Sequence, residues 1–381
     1  DRKAAALVTP KDPSILKYAK RIIGISEESA GYALNKNLLQ AMKIFEGMRA
    51  SGLTYIIDPS SPYLDFSKDD RAVDFLQFPR QTLDYGAGDC DDLSILYNAL
   101  LESIGIKTAF ITVPGHIFTA FNINMHPSAA AAIFSRPESL IFIGDETWVP
   151  VETTALDTGF LDAWEIGAGL YSRYAAVNEA YFFTTQEAWS IYAPVGFTDS
   201  AEVILPDSDL VRTAYEAQVA AHRETEVYPR EEKLRLELSE DKENSALANR
   251  LGILYSRYGM YDNALAEFSQ ILSREEYLPA IMNKGNIHSI RGELELAVEY
   301  YLRAAARQPD NPKILLSLTA AYYQSGDLKL AGETFLQVTA LDADLAEKYP
   351  LLNPVGETEG GSGSRAGSPN VDNEVANWEW E

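Results

Sequence analysis

A single cysteine stands in 381 residues, and its surroundings make it the first candidate for chemistry. Cys90 lies in Gly86-Ala-Gly-Asp-Cys-Asp-Asp-Leu93, where a glycine-rich stretch gives way to apolar residues at helical spacing. A thiol in the first turn of a helix faces the positive end of the macrodipole and unpaired N–H groups, and both favour the thiolate. Gly86 and Gly88 let the backbone pass close to the sulfur and leave room for a substrate carbonyl. Asp89, Asp91 and Asp92 work against the thiolate, so an imidazolium is required nearby. His116, following Pro114-Gly115 at the start of a strand-like run, is the candidate base. A third group should orient the imidazole; Glu152 in TWVPVET is placed to do so, with Asp145 and Asp157 as neighbouring alternatives. Nucleophile, base and acid in that relation would form a thioester with a carbonyl and release the acyl group to water or an amine.

These residues need elements to hold them. Residues 1–80 read as helices and loops: Leu38–Met48 carries apolar residues at helical spacing, and Asp58-Pro-Ser-Ser-Pro62 breaks the pattern. A second helix starts after Gly88 with Asp89 as N-cap, Asp91 and Asp92 in its first turn, and Gly105 as its stop. Four strand-like runs follow, Lys107–Val113, His116–Ile123, Ser139–Asp145 and Thr147–Thr153. A helix followed by a β-meander predicts an α+β domain over residues 1–206. Residues 207–243 read as charged connecting helices.

The quoted stretches GDCDDLSILYNALLESIGI, PGHIFTAF and WVPVETT, within residues 35–170, resemble the core of the transglutaminase-like (papain-like cysteine) superfamily. The resemblance implies Cys90 as nucleophile, His116 as general base and Glu152 as orienting acid, although members more often carry Asp at the third place. It also implies an oxyanion-hole donor upstream of the cysteine, for which Gln77 in DFLQFP is the candidate. Asn124–Pro137 then becomes an inserted loop, expected to lid the cleft.

From residue 244 the chain repeats itself. Gly259, Gly292 and Gly326 are spaced 33 and 34 apart, and Ala264, Ala297 and Ala331, with Phe268, Tyr301 and Phe335, keep that spacing. The pattern resembles the tetratricopeptide repeat, and residues 244–352 are expected to form three helix–turn–helix units and a capping helix, an all-α solenoid. Inward positions of the first helices would line a peptide groove with Asn249, Arg250 and Arg257, Asn283 and Asn286, and Lys313 and Tyr323. Residues 353–381 begin with a Gly/Ser spacer, whose GGSGS resembles an engineered linker as well as a natural low-complexity one, and end in VDNEVANWEWE, a segment expected to behave as a tethered acidic peptide for that groove.

Composition closes off other classes. With 32 basic and 56 acidic residues the net charge is −24, which argues against nucleic acid and anionic membrane as partners. No apolar run reaches the ~18 residues a membrane-spanning helix needs. One cysteine leaves no disulfide framework, and no His, Asp and Glu spacing suggests a metal, nor any motif a cofactor. The chain opens at Asp1, so a leader or an upstream segment is expected to have been removed. A leader would imply an extracytoplasmic setting such as the bacterial periplasm, and one cysteine fits an oxidising or a reducing compartment. The expected function is cysteine-dependent acyl transfer, as peptidase or protein transamidase, on a protein or peptide recruited by the repeats. Proteolysis is the preferred outcome, and a non-catalytic peptide-binding scaffold is the alternative.

Overall fold

The computed structural model describes residues 2–26, 35–57, 76–197, 199 and 201–352. The predicted break at Asp58–Pro62 and the tail 353–381 lie outside the described residues. The chain divides into two compact units, Asp1–Glu226 and Val227–Glu381.

In the first unit the elements run α1 (Pro13–Ile23), α2 (Lys36–Ala50), β1 (Thr54–Tyr55), α3 (Pro79–Tyr85), β2 (Ala87–Gly88), α4 (Cys90–Ser103), β3 (Thr108–Val113), β4 (His116–Asn122), α5 (Pro127–Ile133), β5 (Ile141–Ile143), β6 (Glu146–Val151), α6 (Phe160–Ala175), β7 (Tyr181–Thr184), α7 (Thr185–Trp189) and α8 (Ser208–Glu226). α4 is buried on every side from Leu93 to Leu101, mostly through apolar residues, packed against α1, α2 and α3 and against β4. An antiparallel sheet in the order β5-β6-β4-β3-β7 supports it. The alternation along β4 sorts its two faces. Thr119 turns toward α4, where its hydroxyl donates to Asn98, while Phe118 and Ala120 join Ile111, Trp148 and the α6 residues Leu170, Tyr171 and Tyr174. The sheet is thus covered on both faces, and the start of α4 meets the start of β4.

Three boundaries differ from the sequence reading. A fifth strand, β7, pairs with β3 along only four residues, too short a run to stand out by alternation. The segment predicted as an inserted loop contains a short helix, α5, started by His126 and Pro127. The connecting region splits: α8 packs on α2 within the first unit, and the next helix belongs to the second.

The second unit continues with α9 (Tyr228–Glu240), α10 (Ser245–Arg257), α11 (Tyr261–Leu272), α12 (Leu278–Ile290), α13 (Leu294–Ala305), α14 (Pro312–Ser325), α15 (Leu328–Leu341) and α16 (Ala343–Glu347). α10–α15 form three antiparallel pairs, and Gly259, Gly292 and Gly326 turn each pair with positive φ. Ala264, Ala297 and Ala331 are fully buried where the helices touch. In two pairs the approach is closer still. A Cβ on Gly252 would lie 2.4 Å from Phe268, and one on Gly285 would lie 2.6 Å from Tyr301. Gly285→Val should therefore lower stability by about 2 kcal/mol or more through overpacking. Gly169→Ala, on α6 with nothing within 4 Å, should raise it by about 0.5–1 kcal/mol through helix propensity. Urea titrations of the two variants check this, and a neutral Gly285→Val would overturn the close-packing argument.

Candidate active site

The first turn of α4 is built by its acids. Asp89 Oδ1 accepts from the backbone N–H groups of Asp91 (3.0 Å) and Asp92 (3.2 Å). Asp92 reciprocates, one oxygen accepting from Asp89 N–H at 3.4 Å and the other from Gln77 N–H at 2.7 Å. Gly86 and Gly88 serve this turn rather than the sulfur. Gly86 ends α3 in the left-handed conformation, and a Cβ on Gly88 would sit 2.6 Å from that of Asp92.

Cys90 is the first residue of α4 and half-buried. The backbone N–H groups of Ile117 and Asp91 lie near enough to its sulfur to favour the thiolate. Ile117 directly follows His116, so the strand that carries the imidazole also brings a backbone N–H near the thiol. His116 sits behind the tight β3–β4 turn, which Gly115 closes at φ 76°, and its ring stacks on Phe118. His116 Nε2 lies 2.7 Å from Glu152 Oε2. Glu152 is 3% exposed, and its Oε1 accepts from the backbone N–H of Thr154 at 3.0 Å and from its hydroxyl at 2.6 Å. One carboxylate oxygen thus fixes the side chain and the other holds the ring. Glu suits this double duty because its reach lets it turn back onto Thr154 from the end of β6. Asp145 is exposed, 3.6 Å from His126, and Asp157 is exposed also. Neither is the carboxylate on His116.

Burial acts against the thiolate that the sequence reading places at the helix start. It pushes Cys90 up to about 12, with the negative charges of Asp91 and Asp89 acting in the same direction. The N–H groups of Ile117 and Asp91 oppose this without overcoming it. Burial therefore favours the neutral thiol over a helix-stabilised thiolate. Asp89, Cys90 and Asp91 bring ligand-capable atoms within 4.8 Å of one another, but the Asp89 carboxylate is already committed to the helix cap.

Gln77 is tied to the start of α4 through its backbone, while its side-chain Oε1 is buried and accepts no hydrogen bond among the described residues. Sequence reasoning passed over Tyr55. The parallel pairing of β1 with β2 sets Tyr55 opposite Gly88, two residues before the cysteine. Burial raises its pKa first, and the charges of Cys90, Asp89 and Glu152 add to the rise, so its hydroxyl shares the site's field. No motif marked it; only the pairing of two two-residue strands brings it there.

In the second unit the predicted groove residues separate into two groups. Asn249, Asn283 and Asn286 are buried, Asn283 donating to Asn249 at 3.1 Å and Asn286 accepting from Tyr301 at 2.9 Å. Arg250 and Lys313 are exposed, and Arg257 and Tyr323 half-buried. His288 stacks on Tyr300 and bonds Glu293, a packing role.

A family model for the tetratricopeptide repeat matches residues 278–311. That span is α12, α13 and their loops, and the repeat is a module for protein–protein interaction. No curated protein matches the chain. The structure is mixed helix and sheet with a C-terminal helical repeat region. No described helix is long and apolar enough to cross a membrane.

Proposed function

We propose that the first unit is a transglutaminase-like, cysteine-dependent acyl-transfer domain acting on a protein or peptide that the repeats recruit. The observation that carries the reading is the 2.7 Å contact between a doubly anchored Glu152 and His116, on the strand whose next residue, Ile117, brings its backbone N–H near Cys90. Glu152 keeps one ring nitrogen occupied and leaves the other for the thiol. With the thiol neutral at rest, His116 takes the proton as the sulfur attacks a bound carbonyl. His116 then gives that proton to the leaving amine or alcohol as the C–N or C–O bond breaks, and the new C–S bond leaves a thioester. Water then gives hydrolysis, and an amine gives transamidation. Proteolysis is the preferred outcome, because a repeat module suits capture of a protein substrate.

The test uses p-nitrophenyl acetate as an acyl donor, with intact-mass detection of an acetyl thioester on Cys90. His116→Ala should slow acylation by about 10²–10⁴-fold, the contribution of a positioned base. Glu152→Gln should slow it less, because the acid only orients and supports the ring. Acylation unchanged in His116→Ala would remove the base from its role.

A second reading treats the chain as a peptide-binding scaffold with a non-catalytic first unit. The neutral, acid-flanked thiol favours it, as does the repeat at 278–311. Cys90 that stays unacylated while the repeats bind peptide would decide for the scaffold.

A further inference from the structure

Between α9 and α10 the second unit has a pocket of about 250 Å³, lined by Arg230, Lys233, Leu234, Glu237, Arg250, Ile253, Leu254 and Arg257. Four cations converge there against one carboxylate, in a chain whose net charge is −24. Elsewhere on these helices cations are paired, as Arg235 is with Glu231 and Glu267. Lys233, Arg250 and Arg257 form no ion pair among the described residues. Leu234, Ile253 and Leu254 supply an apolar wall beside the charges. A site of that make-up favours a carboxylate next to a large apolar side chain.

The chain carries such a segment. VDNEVANWEWE places Glu379 between Trp378 and Trp380, with Asp372, Glu374 and Glu381 near. About 18 residues of Gly/Ser-rich chain link it to Leu352 in the same unit, a reach of up to about 60 Å. Tethering over such a linker gives an effective concentration on the order of millimolar, so a weak intrinsic affinity suffices. We propose that the pocket formed by α9 and α10 binds the chain's own acidic, tryptophan-bearing segment 371–381, an occupant that an acidic partner peptide would have to displace. This extends the peptide-surface reading of the repeats, on which it rests, and stands apart from Cys90.

The test is ¹⁹F NMR of the full chain labelled with fluorotryptophan, whose five signals are assigned by single Trp→Phe variants. The Trp378 and Trp380 signals should be displaced from those of the isolated peptide 371–381. Arg250→Glu with Arg257→Glu should return them to the peptide positions while Trp148 and Trp164, both buried in the other unit, stay in place. Glu379→Lys with Glu381→Lys should do the same without altering any residue of the folded units. Tail signals that coincide with the free peptide would overturn both the proposal and its parent reading. Displacement that survives the arginine reversal but is lost in Lys313→Glu would overturn only this pocket. Displacement that fades on dilution would assign the contact to a second copy and overturn the intramolecular form.

Discussion

Cys90→Ser is expected to abolish acyl transfer, lowering turnover by about 10³-fold or more, while the thermal midpoint stays close to that of the parent chain. The two expectations have separate causes. The exchange is nearly isosteric, so the start of α4 keeps its packing beside β4. The capping of α4 depends on Asp89 and Asp92 and is untouched. What is lost is nucleophilicity: a hydroxyl held beside a neutral imidazole is a far poorer nucleophile than the thiol. Residual turnover in a clean Cys90→Ser preparation would end the catalytic reading, since the chain has no second cysteine to contaminate the result. Collapse of the fold would instead make Cys90 a packing residue, because a helix N-terminus survives loss of sulfur chemistry but not loss of a needed contact.

The sequence carried the site's residues better than its energetics. Gly-Asp-Cys-Asp-Asp announces a capped helix start because the capping box is local, spanning Asp89 to Asp92. His116 announces itself through the Pro-Gly turn that precedes it, and the repeat through glycines that only a left-handed turn requires. Two kinds of property are not local. One is partnership across the sheet, which selects Glu152 over Asp145 and Asp157 only once β6 lies beside β4. The other is desolvation. The helix dipole at Cys90 is legible in one dimension, but the burial of its sulfur depends on tertiary packing that no local pattern carries. Tyr55 shows the same limit: strands of two residues leave no pattern to read. The three asparagines of the repeats were placed facing inward from phase alone. Phase fixes which face of a helix they occupy, but not how deep that face is buried.

The alkylation profile of Cys90 follows from that burial, and its expected size is large. A free thiol at its ordinary value of about 8.5 is a few per cent thiolate at pH 7. With Cys90 pushed up to about 12, its thiolate fraction at pH 7 falls to about 10⁻⁵. Iodoacetamide should therefore label Cys90 roughly 10³-fold more slowly than a small thiol at that pH, since the thiolate is the reacting form. The sign is fixed by the neutral form being favoured, so the labelling rate should climb about tenfold per pH unit up to the limit of folded stability. Labelling of urea-unfolded chain, where the burial is gone, should revert to the behaviour of the free thiol and serves as the reference. Fast labelling of the folded chain well below pH 8 would mean that His116 is protonated and paired with a thiolate. The general-base step would then give way to a preformed ion pair, with Glu152 stabilising the imidazolium rather than only orienting the ring. Slow labelling combined with His116-dependent acylation by the ester would mean that the proton leaves sulfur only when a carbonyl is in place. Under that outcome burial, reinforced by Asp91 and Asp89, holds the thiol neutral and protects it from adventitious electrophiles until substrate is bound.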